Sequence, residues 1–313
     1  MKIDILVKHN SVLKDYLLEY GLSKKLCRKI KLYGKMYING VESKNYFPVK
    51  KNDLITLVYD EQENDDIKAT EYKLDIVYED EHILVINKPY DLASQPSKLH
   101  YENNVISYVK KYFKDNNINS NIHVVNRLDY QTSGLMTIAK DGYTHYLLTK
   151  EKVIKRKYYC LVEGILDQKE GLINLPIGRK EENGILREVN SQGKEALTKY
   201  KVIAEYNNLI QLDTITIENY SLVDVELLTG RTHQIRVHFS YLNYPLIGDK
   251  LYGHAYKRLM LHCYYLSFIN PYTGKFIEII NKHFVSFDNF KNEFINLLSI
   301  LANPSFKSRK KRR

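Results

Sequence analysis

The chain contains little cysteine and no long apolar run. Its three cysteines, Cys27, Cys160 and Cys263, are too scattered for a disulfide framework or a Cys-x-x-Cys metal site. We expect them to be small buried residues in a reducing cytoplasm. No stretch approaches the ~18 consecutive apolar residues of a membrane span. The charges of Lys2 and Asp4 argue against a secretory signal core.

Glycine-rich cofactor loops are also absent. Neither Gly-x-Gly-x-x-Gly nor Gly-x-x-x-x-Gly-Lys-Ser/Thr occurs in the sequence, so no nucleotide cofactor is predicted. His233 and His238 are five residues apart and would not share a helical face as the histidines of His-x-x-x-His do. The sequence therefore predicts neither a cofactor nor a metal site.

Positive charge, by contrast, is abundant: the net charge is +10 over 313 residues, of which 44% are apolar. This length and composition allow a sizeable core, either in one large domain or in two smaller ones. Basic residues cluster at 24–35 and 307–313, on either side of an acidic stretch at 60–81. A charge cluster is often only a solvated face, but two clusters favour a polyanion bound through its phosphates. An anionic membrane fits less well, because neither cluster adjoins a bulky apolar face.

Residues 1–60 are predicted to form a separate small unit. Ser11 and Ser23 can each cap a short helix, and Asn39-Gly40 predicts a type I′ hairpin turn. The second helix would present a basic face as the candidate contact with a polyanion. That face consists of Lys24, Lys25, Arg28, Lys29 and Lys31.

The rest of the chain is predicted to be rich in strands. Residues 61–73 form an acidic linker, 74–302 a large domain and 303–313 a basic tail. Strands are predicted at 75–78, 83–87, 122–125, 135–139, 157–163, 196–204, 209–216 and 221–227, and helices at 105–114, 143–151 and 233–241. We therefore predict an α/β (α+β) protein with a large, mixed but mainly antiparallel sheet.

Two polar runs follow apolar strands in this domain. Residues 127–135 read Arg-Leu-Asp-Tyr-Gln-Thr-Ser-Gly-Leu, and residues 228–238 read Leu-Thr-Gly-Arg-Thr-His-Gln-Ile-Arg-Val-His. A rigid sheet can hold a loop carboxylate such as Asp129 against a cleft, although an isolated Asp before Thr-Ser-Gly is commonly an Asx-turn former. Together the runs indicate a carboxylate and a guanidinium delivered from separate strands to one site.

The pairing of these runs resembles the RluA-type RNA pseudouridine synthases. The first motif of that family is His-Arg-Leu-Asp-x-x-Thr-Ser-Gly-Leu, and the second is Leu-x-Thr-Gly-Arg-x-His-Gln-Ile-Arg-x-His followed by Pro-x-x-Gly-Asp and Tyr. Pro245, Gly248-Asp249 and Tyr252 continue the order of the second motif. The likeness spans about residues 74–285. One position departs from it, since Asn126 stands where the family usually has His.

The resemblance implies a fold with a central mixed sheet and a long cleft, and the isomerisation of uridine to pseudouridine in RNA without a cofactor. In this reaction the N1–C1′ bond breaks, the base rotates, and C5 joins C1′. One ionised carboxylate is enough, acting as a nucleophile at C1′ or as a base at C2′. By resemblance Asp129 is that carboxylate, and Arg231 would hold it ionised and oriented.

Four further residues receive roles by the same resemblance. Tyr158 would lie against the uracil ring, although a buried strand tyrosine is the alternative. Arg127 would fill the gap left when the base leaves its stack. Ile235 and Leu261 are candidate pocket walls, or simply core residues.

Residues 1–60 resemble the S4 RNA-binding domain, which often precedes such catalytic domains. We therefore expect RNA as the partner, most readily large-subunit ribosomal RNA with transfer RNA still open, and a monomeric protein. An S4-bearing RNA-binding or ribosome-associated protein without catalysis is the main alternative, favoured only by Asn126. An S4-fused methyltransferase would need a glycine-rich loop, which the sequence lacks.

Overall fold

The structure of the protein is a computed structural model, which describes residues 2–60, 67–150, 154–182, 184–207, 209–211 and 215–281. Part of the predicted linker, the end of the predicted large domain and the whole basic tail lie outside these ranges. Within them, no helix is both long and apolar enough to cross a membrane.

Residues 2–60 form a small unit in which two helices share one core with a four-stranded antiparallel sheet. Its elements are β1 (Lys2–Leu6), β2 (Ser11–Val12), α1 (Leu13–Tyr20), α2 (Lys24–Tyr33), β3 (Lys35–Ile38), β4 (Val41–Glu42), β5 (Pro48–Val49) and β6 (Leu54–Val58). The sheet order is β1–β6–β3–β4, and β2 pairs with β5. Alternation in β1 and β6 buries Ile3, Ile5, Ile55 and Leu57.

Local sequence explains most of this unit. The Ser23 hydroxyl accepts a hydrogen bond from Leu26 N at 3.1 Å and caps α2 as predicted. Asn39 and Gly40 have φ values of 51° and 81°, which confirms the type I′ turn between β3 and β4. The predicted cap at Ser11 is wrong. Ser11 pairs with Val49 of β5, and α1 begins at Leu13, after Val12, without a side-chain cap.

The remaining described residues form a larger α/β unit. Its strands are β7 (Ile76–Glu79), β8 (Ile83–Lys88), β9 (His123–Val124), β10 (Ser133–Ala139), β11 (Lys155–Glu163), β12 (Glu170–Asn174), β13 (Ile177–Arg179), β14 (Arg187–Val189), β15 (Leu197–Tyr206), β16 (Ile210–Gln211), β17 (Thr216–Ile217), β18 (Tyr220–Leu227), β19 (Leu261–Ile269) and β20 (Phe276–Ile280). Its helices are α3 (Val105–Asp115), α4 (Gly142–Lys150) and α5 (Gln234–Tyr241).

Ten of these strands make one mixed sheet, which confirms the predicted architecture. The order is β12–β15–β18–β11–β19–β10–β8–β7, with β20 beside β19 and β9 beside β10. Among the described pairs of this sheet, β10 and β19 run parallel and the others antiparallel. The two parallel strands approach closely at Gly134, where a Cβ would lie 2.2 Å from the Cys263 carbonyl oxygen. The glycine of the first polar run is therefore required by backbone packing, and its φ is 114°.

One predicted strand is corrected by the structure. Residues 209–216 were expected to form a single strand, but β16 instead pairs with β17 as two short antiparallel segments. Both are two residues long. The apolar pattern indicated extended backbone, whereas antiparallel pairing between the two ends of the segment leaves no periodic signal.

The two units meet at α4. Tyr143 of α4 belongs to the buried core of the N-terminal unit, and the half-buried Tyr146 and Leu147 pack against that core. At the end of α1, Gly21 has a φ of 110°, and a Cβ there would lie 1.7 Å from the Tyr146 hydroxyl. The close approach of α1 to α4 thus depends on a residue without a side chain.

Candidate active site

Asp129 lies in a tight turn that leads into β10. Its carbonyl accepts a hydrogen bond from Thr132 N at 3.1 Å, and its side chain is 26% exposed. The carboxylate faces a cleft of about 1050 Å³. This cleft also contains the second polar run, so that residues about a hundred positions apart in sequence line one space.

The cation paired with Asp129 is Arg236. Nη1 of Arg236 lies 3.5 Å from Asp129 Oδ2. A second edge of the guanidinium, formed by Nε and Nη2, binds Asp249. Nε donates to Oδ2 and Nη2 donates to Oδ1, both at 2.7 Å. Arg236 is 3% exposed and Asp249 is fully buried. The bidentate pair fixes the guanidinium and directs its remaining nitrogen at the carboxylate.

Burial opposes the charge of Arg236, but the hydrogen bonds and charge of Asp249 outweigh it and raise the pKa of the guanidinium. The Tyr252 ring supports the same charge, with its centroid 5.2 Å from Arg236 Cζ. Arg236 is therefore a permanent cation in a rigid setting.

The expected pair between Arg231 and Asp129 is corrected by this geometry. Arg231 lines the cleft, but its Nε donates to the Glu195 carbonyl at 2.8 Å. Among the described guanidinium groups, that of Arg236 is the one that forms an ion pair with Asp129. The physical reason is position along the chain: Arg231 precedes α5 in a turn, whereas Arg236 lies in the first turn of the helix, where every residue is buried.

A strained turn leads into α5. His233 has φ 58° and ψ 21°, a left-handed conformation that costs energy for a residue with a side chain. Gln234 holds the turn, because its Oε1 accepts from Arg231 N at 2.9 Å and from the Thr229 hydroxyl at 2.9 Å. His233 Nε2 is thereby placed 4.0 Å from Asp129 Oδ2. Burial lowers the pKa of His233, and the charge of Asp129 opposes that shift.

Lys88, at the end of β8, connects the loop that follows β8 to the loop that contains Asp129. Its ammonium is fully buried and donates to the carbonyls of Pro89, Leu92 and Tyr130 at 2.8, 2.8 and 3.2 Å. Burial lowers the pKa of Lys88 to about 7, and the charge of Asp129 opposes this. The bond to Tyr130, the neighbour of Asp129, fixes the backbone that positions the carboxylate.

Tyr158 is on β11, in the wall of the cleft, together with Ile235 and Leu261. The three side chains are 3%, 3% and 4% exposed. Burial raises the pKa of the Tyr158 phenol, and the neighbouring Cys263 contributes in the same direction. The phenol is thus neutral in the folded protein, so it can act as a hydrogen-bond donor in an apolar wall.

Comparison with known proteins identifies the group to which this arrangement belongs. A family model described as RNA pseudouridylate synthase matches residues 82–241, a range that contains Asp129, Tyr158 and Arg236. An uncharacterised RNA pseudouridine synthase of Bacillus subtilis, YjbO, is 38% identical over 268 residues, which cover 83% of this chain and 91% of the relative. The chain belongs to the RluA-type RNA pseudouridine synthases. It is therefore an isomerase whose family acts on RNA.

Other relatives agree with this synthase in length and fold. The ribosomal large subunit pseudouridine synthase D of Borreliella burgdorferi is 34% identical over 272 residues, covering 80% of each chain. The solved structure of human RNA Pseudouridylate Synthase Domain Containing 1 has a TM-score of 0.54 and 26% identity, and covers 71% of this chain and 95% of its own. The predicted pseudouridine synthase fold is confirmed.

Asn126, the departure from the family motif, has a structural task in this synthase. It is 5% exposed. Its Oδ1 accepts from Thr137 N at 2.8 Å, and its Nδ2 donates to the Leu135 carbonyl at 3.3 Å. The amide therefore ties the Asp129 loop to β10.

Arg127 is exposed at the cleft, where its Nη1 donates to Gln95 Oε1 at 3.4 Å. This leaves most of the guanidinium open to a ligand. The basic face of α2 does not line the cleft. Lys24, Lys25, Arg28 and Lys31 are exposed on that helix.

Sequence reasoning missed the roles of Arg236, Asp249 and Lys88. The first two were within the quoted motifs, but nothing in their spacing showed that they pair across 13 residues. Lys88 stands in an apolar strand just before a proline. A lysine at the end of an apolar strand could have indicated a buried ammonium, because such a residue must find hydrogen-bond acceptors within the protein.

Proposed function

We propose that this synthase converts a uridine of large-subunit ribosomal RNA into pseudouridine with Asp129 as the catalytic carboxylate. The observation that carries the proposal is the position of Asp129. It is a partly exposed carboxylate in a large cleft, 3.5 Å from a guanidinium that is itself fixed by a buried carboxylate. The family's chemistry requires a carboxylate at the glycosidic carbon or its neighbour.

The surrounding residues take complementary roles in this proposal. Arg236 places a positive charge beside Asp129 and orients its carboxylate, a role that a permanent bidentate cation fills well. Tyr158 lies against the uracil, with Ile235 and Leu261 as apolar walls of the base pocket. Arg127, at the open rim, occupies the space that the flipped base leaves in the RNA. Arg231 stabilises the turn before α5 and lines the surface of the cleft.

One observation supports ribosomal RNA as the substrate, and a second supports an RNA partner in general. Relatives that cover about four-fifths of the chain are named ribosomal large subunit pseudouridine synthase D. The N-terminal unit, which we propose to be an S4-type RNA-binding domain, presents Lys24, Lys25, Arg28, Lys29 and Lys31 on one helix. No described carboxylate lies within 4 Å of these cations, so they are available to phosphates. We propose that the protein acts as a monomer.

The decisive experiment compares wild type with Asp129→Asn. Large-subunit RNA lacking modifications is incubated with each protein alone, and pseudouridines are mapped and counted. Asp129→Asn should lose more than about a hundredfold in turnover, while RNA affinity changes less than about tenfold, because phosphate contacts dominate binding. Asp167→Asn, the same change at an exposed position, is the matched control and should behave as wild type.

The possible outcomes test the carboxylate and the substrate separately. Residual turnover of Asp129→Asn above about a hundredth of wild type would remove Asp129 from the chemistry. Pseudouridine in transfer RNA but none in ribosomal RNA would correct the substrate and leave the carboxylate assignment intact.

A further inference from the structure

The cleft is strongly positive. The described residues that line it include six arginines but a single carboxylate, Asp129. Enclosed charge of one sign focuses the electrostatic potential and attracts a ligand of the opposite sign. The cleft is thus suited to the backbone of a nucleic acid as well as to a base.

Most of these arginines already donate hydrogen bonds to protein oxygens. The pairs are Arg127 with Gln95, Arg179 with the Glu182 carbonyl, Arg187 with the Gly184 carbonyl, Arg231 with the Glu195 carbonyl, and Arg236 with Asp249. These contacts fix the guanidinium groups and use part of their hydrogen-bonding capacity. Arg156 is the sixth arginine, and its setting is different.

Arg156 is on β11, two residues before Tyr158. Lys157 and Tyr158 pair with the consecutive residues Glu226 and Val225 of β18. On the other side, the register with β19 shifts between Lys157 and Tyr158, whose partners are Tyr265 and Cys263, so the extra residue lies on β19 and not on β11. Arg156 and Tyr158 therefore share one face of β11. Both residues line the cleft. Arg156 Nε is buried without a hydrogen-bond partner among the described residues, and no described carboxylate lies within 4 Å of the guanidinium.

The two neighbours of Arg156 show the contrast. They point to the opposite face of β11, where each has a partner. Lys155 forms an ion pair with Glu226 at 2.9 Å, and the Lys157 ammonium lies 5.5 Å from the centroid of the Tyr265 ring. Of these three cations, Arg156 faces the cleft, and it is the one for which the described residues supply no carboxylate or ring partner. A half-buried guanidinium is stabilised when an anion supplies the missing contacts.

We propose that Arg156 binds a backbone phosphate of the nucleotide whose base lies against Tyr158. The inference rests on the proposed function, since it takes the target uridine to enter this cleft. Tyr158 is 3% exposed and marks the deep end for the base. The Arg156 guanidinium lies over the exposed turn at Gly230, where a Cβ would be 3.4 Å from Nη2. A group at that shallower level is the sugar–phosphate backbone, and the planar fork of a guanidinium matches two phosphate oxygens.

The first test compares Arg156→Met, Arg156→Lys and Lys155→Met with wild type. The substrate is a synthetic fragment of large-subunit RNA in which the wild-type protein forms pseudouridine. Arg156→Met should lower kcat/KM by about ten- to a hundredfold, and Arg156→Lys should recover part of the loss because it restores the charge without the fork. Lys155→Met, one residue away on the opposite face, should stay within about twofold.

The second test neutralises the phosphates one at a time. Each of the two linkages that flank the target uridine is replaced by an uncharged methylphosphonate. The 2′-hydroxyl next to a methylphosphonate must be blocked, because it would otherwise cleave that linkage. Each such RNA is therefore compared with one that has the same 2′ modification and an ordinary phosphate. For wild type, one of the two replacements should lower kcat/KM by about the same factor as Arg156→Met. In Arg156→Met, that replacement should cost little more, since the interaction is already lost.

The results separate the inference from the function beneath it. If wild type forms no pseudouridine in any RNA, the proposed function fails. If wild type is active but tolerates both neutral linkages, or if Arg156→Met retains the full methylphosphonate penalty, Arg156 does not bind this phosphate. Should Arg156→Met fail to fold, the wild-type series and Arg156→Lys still decide the matter.

Discussion

The N-terminal unit and the cleft both present clusters of cations, but in opposite settings. On α2, the cations are exposed and close together in sequence: Lys24, Lys25, Arg28 and Lys31. In the cleft, Arg156 and Arg236 come from different elements and are half-buried or buried.

This difference indicates two different uses of positive charge. Exposed lysines act at a distance through a field that salt screens, and they can follow many RNA shapes. Enclosed arginines act over one hydrogen bond and tolerate little displacement. We infer that the N-terminal unit supplies affinity and that the cleft supplies position.

The largest expected effect concerns the choice between the two arginines of the second polar run. Arg236→Met should lower turnover at least about a hundredfold, because it removes the fixed cation beside Asp129. Arg231→Met should lose less than about tenfold. Single-turnover rates measure both effects, and a thermal melt establishes that Arg236→Met is folded.

The reverse ranking would contradict the ion pair. If Arg231→Met were the more damaging variant, Arg231 would act on the substrate in a state that differs from this geometry. Arg236→Lys distinguishes charge from shape, because an ammonium cannot bind Asp249 in the same bidentate way.

The next effect tests the contact between the two units. Gly21→Ala should lower the free energy of unfolding by about 2–4 kcal/mol, through an unfavourable positive φ and an overlap with the Tyr146 hydroxyl. Gly40→Ala is the matched control, because Gly40 also has positive φ but nothing lies within 4 Å of its Cβ position. Its loss should be about 1–2 kcal/mol. Equal losses in chemical denaturation would mean that α1 and α4 adjust freely.

A smaller effect is expected from α2. Lys24→Gln with Lys25→Gln should weaken RNA binding by about tenfold at low salt and reduce the slope of log affinity against log salt by about 1–2. Turnover at saturating RNA should be unchanged. Lys199→Gln with Lys201→Gln, two exposed lysines of β15, is the control for net charge. An equal change in the control would show that the effect depends only on overall charge.

The smallest effect is a pH dependence of stability at α4. His82 Nδ1 lies 3.5 Å from Asp141 Oδ2, and Asp141 also accepts a hydrogen bond from Thr144 N of α4. The interaction with Asp141 raises the pKa of His82 above 6.5, although burial opposes it. A raised histidine pKa stabilises the fold fully below the unfolded value, and this stability is lost as pH rises through the folded value.

Melting temperatures of wild type and His82→Gln therefore differ more at about pH 5.5 than at about pH 8.5, by roughly two degrees. A difference that does not vary with pH would assign His82 to packing against Tyr272, whose ring stacks on it at 3.8 Å.

Short-range features of the fold could be predicted from the sequence. The Ser23 cap and the Asn39-Gly40 turn depend on a few neighbouring residues and were found correctly. The cap at Ser11 was not, because pairing between β2 and β5 competes with the helix for that residue. Local preference decides a structure only where no distant strand offers an alternative.

The sequence by itself determined the family, the mixed sheet, and the pair of polar runs that line one cleft. Each of the two motifs is a continuous stretch of sequence, and its residue types, a carboxylate and several arginines, indicate the chemistry directly. Only the tertiary structure decided that Arg236 and not Arg231 faces Asp129, and that Asp249 fixes Arg236. It also decided that Arg156 Nε is buried without a partner among the residues that the structure describes. Those facts depend on the direction of side chains on α5 and β11, and on contacts between residues far apart in sequence. Spacing along the chain does not encode such distances, because they are set by how the elements pack.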